Sequence, residues 1–304
     1  MELIYEGCNI TDQVDIIRCV HSDTCGDRCD ITEIELENAA AWYRWGPQVN
    51  DRIRIEHNGY TTGNMYLNTI LPADGRYRIF ATSIPANANI QRWAGYQDIS
   101  LTDIIGICAG EYSMEPALYG IDGNIRYPFI MRRYESVVRF AGRVLEMEGA
   151  IFKAYNGKFL GIGLDYAQKR DAAGTIEINA EQAGCTYTRS GRRIKSFSID
   201  TPYASVTAYD TLAQSERHEK HTEYPARDAA TAGRWARGIL KTTNLECEEL
   251  TISTAFSPAY TALMRMDVTG NTEASGNWLI KEAEHDLAEG STRLHMARLI
   301  TGVI

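Results

Sequence analysis

Two short stretches limit what this chain can become. In "DITEIELE", residues 30–37, Thr32, Ile34 and Leu36 fall on one side of an extended backbone, and Glu33, Glu35 and Glu37 on the other. "DRIRIEH", residues 51–57, repeats the rule, with Ile53 and Ile55 on one side and Arg52, Arg54 and Glu56 on the other. Successive side chains along a strand point to opposite faces, so period two with charges outward predicts half-buried antiparallel strands. Glu and Arg rows facing each other across such strands pair, each pair adding about 0.2–1 kcal/mol.

"GNMYLNTI" (63–70) and "GRYRIFATSI" (75–84) continue the pattern and are joined by "LPADG", which has Pro/Asp/Gly turn chemistry. Residues 1–86 are thus predicted to form an all-β unit, a meander of five or six strands closing into a small barrel or sandwich. The pattern changes after Pro85. "SLTDIIGICAGEYSM" (100–114) opens with Ser100 and Asp103, a capping signature, and continues with Ile104, Ile105 and Cys108 at helical spacing. "FIMRRYESVVRFAGRVLEMEG" (129–149) predicts a second helix, with Tyr134, Val137, Val138, Ala141, Val144 and Leu145 on one face. "AIFKAYN" and "KFLGIGL" predict a hairpin turning at Asn156-Gly157. Residues 87–165 therefore form an α/β middle region.

Strands return between 166 and 225, in "GTIEINA", "RRIKSFSID" and "ASVTAYD", followed by a charged linker, "QSERHEKHTEYPARD". The last segment, 226–304, opens with an Ala-rich helix whose Ala229, Ala232, Trp235 and Ile239 line one side. "CEELTISTAF", "TALMRMDVTG" and a long hairpin bent at Glu289-Gly290 close it. The fold class is mainly β with α/β insertions, and strands of the 166–225 segment are free to interleave with either end.

Charge narrows the function. There are 31 basic and 40 acidic side chains, a formal charge of −9. A broad nucleic-acid footprint requires a basic face, so specific nucleic-acid binding is not expected. No apolar run reaches the roughly 18–20 residues that span a bilayer, so no membrane insertion is expected. The opening "MELIYEGCNITD" has neither a basic region nor an apolar core, which predicts no signal peptide and assembly in a cytoplasm. Of the seven cysteines, Cys8, Cys108, Cys185 and Cys247 sit singly in apolar or strand-like surroundings and are expected as buried reduced thiols.

Several segments imitate catalytic or metal motifs. "CVHSDTCGDRCD" (19–30) packs Cys19, His21, Cys25 and Cys29 close together. A structural zinc site pairs two tight ligand couples a dozen or more residues apart, and no second couple exists here. The stretch reads as a turn between two strands, with a Cys25–Cys29 bridge geometrically conceivable. In "RHEKH" (217–221) the histidines are three apart where a zincin helix needs four, and the segment reads as solvated linker. Glu146 and Glu148 are adjacent on one element and so are not opposed across a cleft as a glycosidase pair would be. His285 reads as a strand-end histidine bonded to backbone. No catalytic, cofactor-binding or metal-ligating set is predicted.

The order of the pieces is more telling. The run "ITDQVDIIRCVHSDTCGDRCDITEIELENAAAWYRWGPQVNDRIRI" resembles the amino-terminal β-unit of the phage late control D family, the baseplate hubs of contractile tails, R-type bacteriocins and type VI secretion spikes. It has the acid-rich turn, the alternating strand opening at Asp30, the aromatic–Pro stretch Trp42, Trp45 and Pro47, and a turn at Asn50-Asp51 where the family has Gly-Asp. Asn tolerates the left-handed conformation such a turn needs. At the other end, "NWLIKEAEHDLAEGSTRLHMARL" is similar to the family's aromatic strand (Trp278), His-Asp turn (His285) and final strand, although the usual glycine near Thr261 is missing. The resemblance implies two tail-tube-like antiparallel β-barrels per chain with a smaller α/β region between them. It also implies a homotrimeric ring of six barrels, with a tail tube protein, a central spike protein and a tape-measure protein as partners. Trp45, Pro47, Asp51, Trp278 and His285 become structural or interface residues, and the particle's baseplate the location. A distal tail or tail-completion protein and a tail-borne cell-wall hydrolase stay open as alternatives.

Overall fold

The computed structural model describes residues 1–73, 75–178, 184–270 and 273–304. Asp74 of the predicted "LPADG" turn, and Asn179 and Ala180 at the end of "GTIEINA", lie outside the described residues. The first 86 residues carry eight strands: β1 (Glu2–Tyr5), β2 (Cys8–Asn9), β3 (Asp15–Thr24), β4 (Ile31–Glu37), β5 (Arg52–His57), β6 (Tyr60–Thr61), β7 (Met65–Ala73) and β8 (Arg76–Thr82). A single turn of helix, α1 (Ala40–Tyr43), seats Trp42 in their core. The alternation is obeyed: Thr32, Ile34, Leu36, Ile53 and Ile55 are buried.

The middle region follows as β9 (Arg92–Ser100), α2 (Leu101–Gly110), β10 (Glu115–Tyr119), β11 (Arg126–Glu135), α3 (Val137–Met147), β12 (Ala150–Tyr155), β13 (Lys158–Gly163) and α4 (Leu164–Lys169). The predicted capping box forms, with Asp103 N–H donating to Ser100 Oγ at 3.1 Å. The second predicted helix begins later than expected. Residues 129–135 are strand, because "FIMRRY" buries Ile130 and Arg132 on one face, and Ser136 then caps α3. Tyr134 therefore is not on a helix face. The Asn156-Gly157 turn is present, with φ of +47° and +75°. It docks on the first β unit so closely that a Cβ on Gly63 would lie 2.8 Å from Asn156 Cβ.

The chain continues through β14 (Ala172–Glu177), β15 (Cys185–Arg189), β16 (Ser196–Thr201), β17 (Ala204–Tyr209), β18 (His218–His221), α5 (Ala229–Asn244), β19 (Glu248–Ala255), β20 (Arg265–Thr269), β21 (Gly276–Asp286) and β22 (Ser291–Arg298). The expected linker contains β18, which pairs parallel to β16, stacks His221 on Phe197 and bonds His218 to Ser196 Oγ at 2.6 Å. Its high charge hides a short edge strand. Cys8 is also not buried, since two-residue β2 lies at the sheet edge; Cys185 is half-buried, whereas Cys108 and Cys247 are buried.

Strands from both ends of the chain join one 14-stranded, mostly antiparallel sheet, whose main path is β15-β19-β22-β21-β3-β4-β8-β7-β5-β1-β2. The mainly-β class stands, but among the described residues no ring of strands closes into a barrel. β21, 11 residues long with a bulge between Ile280 and Glu282, pairs through its first half with β20 and β22 and through its second half with β22 and β3. Two β cores result, one around Trp42 and one around Trp278, while α2, α3 and α5 cover a third in the middle region.

Candidate functional site

The place where the two β units meet is built by "CVHSDTCGDRCD". Along the β3–β21 seam Thr24 faces Glu282, Asp23 faces Ala283 and His21 faces His285. The stretch is the end of β3 followed by a turn over residues 25–30; Asp27 and Arg28 at the turn's tip are exposed, whereas His21, Asp23 and Thr24 of β3 and Asp30 beyond the turn are buried. Into this seam β12 of the middle region sends Lys153. Its ammonium donates to Asp23 Oδ1, to the Thr24 carbonyl at 3.0 Å and to Asp30 Oδ1 at 3.2 Å. Three protons meet three acceptors, so the group is fully used. Asp30 is held in turn, accepting from Thr24 N–H at 2.9 Å while its own N–H donates to Ser83 Oγ at 3.0 Å.

One ammonium faces two carboxylates here, and burial decides the protonation. Desolvation, aided by the Asp23 charge, pushes the Asp30 carboxyl up to about 7 even though Lys153 opposes it. Burial works against the Lys153 ammonium, yet Asp23 and Asp30 raise it above the usual lysine range. Burial lowers His21 to about 3 and also lowers His285, so both rings are neutral. His285 donates from Nε2 to the Tyr260 carbonyl at 2.9 Å and accepts at Nδ1 from Thr292 Oγ1 at 2.9 Å, an assignment fixed by the hydrogen-bond network. Tyr60 packs between the two rings, 4.7 Å from His285 and 5.8 Å from His21. Chemically this is a clamp: a buried cation ties the middle region to the β3–β4 turn of the first β unit, at the end of β3 that pairs with β21.

A second buried carboxylate, Glu148, fixes α5. It accepts from Tyr127 Oη and Trp235 Nε1 at 2.8 Å each and from Arg234 Nε at 2.6 Å. Beside the seam lies a cleft of about 550 Å³, lined by Asp27, Arg28, Glu146, Glu246, Lys281 and Glu282 among others. Burial and the neighbouring Asp27 and Glu246 raise the Glu146 carboxyl. Glu146 faces this cleft while Glu148 is locked in its own network. Cys25 and Cys29 are both free thiols, and burial pushes each up to about 11. Among the described residues no three His, Cys, Asp or Glu side chains are grouped to hold a metal ion.

No family model matches the chain, and no curated protein is similar to it in sequence. Solved structures are similar in fold. The tail protein from Neisseria meningitidis MC58 aligns with a TM-score of 0.75 at 10% identity, over 98% of this chain and 95% of that one. The 43 kDa tail protein of prophage MuSo2 from Shewanella oneidensis aligns with a TM-score of 0.73 at 11% identity, over 100% and 99%. This chain has the fold of phage tail proteins. An Escherichia coli component of the type VI secretion system also shares it, with a TM-score of 0.64 at 12% identity, over 99% of this chain and 77% of that one.

In this tail-protein fold the sequence-predicted residues fall in three places. Trp45, Pro47 and Asp51 share the loop between α1 and β5, where Trp45 is 52% exposed and Pro47 half-buried. Asp51 accepts from Tyr5 Oη at 2.5 Å and Gln48 N–H at 2.6 Å, beside Asn50 in the left-handed conformation at φ +75°. Trp278 is buried in the second β core under Arg298, and its Nε1 donates to the Ala274 carbonyl at 2.9 Å. His285 lies in the seam. Asp23, Lys153 and Glu148 are the residues that sequence reasoning missed as a site. The one available signal was Lys153 itself, a single charge inside the otherwise apolar "AIFKAY".

Proposed function

We propose that this chain is the baseplate hub of a contractile phage tail or phage-tail-like particle, a structural protein and not an enzyme. Three copies form a ring in which the six β units, two per chain, meet a six-fold tail tube on one side and a three-fold spike on the other. The observation that carries this reading is the pairing of two β cores in one sheet, in a chain whose fold corresponds to tail proteins over nearly its whole length. The Escherichia coli type VI component, itself described as structurally similar to the T4 bacteriophage tail proteins gp27 and gp5, supports the same placement. The buried clamp suits such a part, since a ring under load needs its units held at fixed spacing.

Tail tube protein, spike protein and tape-measure protein are then the partners, and the loop carrying Trp45, Pro47 and Asp51 is a contact with a neighbouring ring. Assembly takes place in the bacterial cytoplasm, and the finished protein resides in the baseplate. Native mass by light scattering over a range of concentrations, with negative-stain images of the same sample, tests the proposal. A ring of three 34.0 kDa chains is expected. A six-fold ring would overturn the hub in favour of a distal tail protein.

A further inference from the structure

The ribbon β9–β11 is unlike the rest of the surface. Its inner face packs Tyr96, Tyr127 and Ile130 against the helices of the middle core. Its outer face carries the pairs Trp93–Arg133, Gly95–Met131 and Gln97–Phe129. Trp93 is 67% exposed and Tyr134 58%, and their rings lie 6.3 Å apart. Phe129, also exposed, covers Gly95 further along the same face. Tyr134 sits at the bulge between Arg133 and Glu135 with φ +50°. Left-handed backbone on a bulky residue costs about 1–3 kcal/mol and collects where function needs it. Here it aims an aromatic ring at solvent.

The face also carries an uncompensated cation: Arg132 and Arg143 are paired with Glu111 and Glu135, whereas among the described residues no carboxylate is within ion-pair distance of exposed Arg133. Beside β11 a mostly apolar groove of about 250 Å³, lined also by Arg143 and Glu223, runs past Met131 and Arg133 to Tyr224 and Pro225. Among the described residues β9 and β11 pair only with each other, so each presents an unpaired edge. Trp, Tyr and Arg on an exposed apolar patch are the residue types on which interfaces depend most.

We propose that the outer face of this ribbon is where a second copy of the chain docks, through Trp93, Tyr134 and Phe129 beside Arg133. The occupant follows from charge: Arg133 is uncompensated while the whole chain is −9, so another copy offers the acidic surface that complements it. Such a contact joins two different patches, and repeated by rotation it closes a ring. The inference rests on the ring reading of the proposed function and names the surface that makes the ring.

Full-length W93E and Y134E are compared with wild type by light scattering, with circular dichroism melting to confirm that they are folded. A photo-crosslinking amino acid at position 93 identifies what lies against the ribbon. The expected result is a trimeric wild type, folded variants whose dissociation concentration rises at least tenfold, and a crosslinked product of twice the chain mass. Folded variants that remain trimeric, or a crosslinker that captures no second copy, would overturn this surface while leaving the trimer intact. A wild type that stays monomeric at every concentration would overturn the ring reading and this surface with it.

Discussion

The β3–β4 hairpin carries two charge systems that use the same residue types to opposite effect. On its outer face Glu33 bonds Arg18 at 2.9 Å and Arg78 at 2.6 Å, and Arg76 reaches Glu35 at 3.2 Å and Glu37 at 2.5 Å. The arginines of this ladder are about half exposed. At the hairpin's turn Lys153 meets Asp23 and Asp30 with no side chain more than 8% exposed. In the ladder water already solvates the arginines, so a pair adds little and salt screens it. In the clamp the charges were stripped of water and depend on each other, so removing one strands the rest. The ladder decorates a strand whose position the Ile34 and Leu36 face has already fixed. The clamp holds together two segments more than a hundred residues apart in sequence.

Removing the cation is the most severe way to break this comparison. K153M leaves two buried carboxylates facing each other, and breaking a buried pair from one side costs about 3–5 kcal/mol. Urea denaturation should show that loss at pH 8 and a smaller one at pH 5, where the stranded carboxyls can take up protons. An equal loss at both values would mean that Lys153 acts through packing alone.

Asp30 gives the next effect. Its carboxyl titrates near 3.8 in an unfolded chain and near 7 in the folded one. Between those values the folded chain keeps a proton that the unfolded chain has released, so this contribution to stability is full below the lower value and is lost as pH climbs through 7. Wild type should therefore lose thermal stability relative to D30N as pH rises from 5 to 8. A difference independent of pH would remove Asp30 as the group responsible.

How much of this was legible in the sequence follows the same division. Period two in "DITEIELE" and "DRIRIEH", the Ser100–Asp103 cap and the Asn156-Gly157 turn are local signals, and each is found in the structure. The failures came where a partner distant in sequence decides. "FIMRRY" reads as helix beside the genuine α3 pattern, but pairing with β9 makes it a strand. The charged "HEKH" reads as linker until β16 supplies its edge. Asp23 and Asp30 look like ordinary turn residues because Lys153, more than a hundred positions away, is what makes them a site. The joining of the two β units in one sheet is likewise long-range: β21 pairs with β20 and β22 at one end and with β3 at the other.

The smallest expected effect tests the outer half of the comparison. E33Q keeps the shape of the side chain but removes the charge shared by Arg18 and Arg78, and two exposed pairs of this kind together contribute about 1 kcal/mol or less. The loss should shrink further in 1 M salt, while that of K153M should persist, because screening acts between solvated charges and hardly at all in a dry interior. A double-mutant cycle of Glu33 with Arg78 isolates the pair itself. A coupling as large as the K153M loss, or one that salt leaves untouched, would mean that the ladder is shielded from water in the working state. The exposed face of β4 would then be an assembly surface like the ribbon, and the contrast between the two charge systems would hold only for the isolated chain.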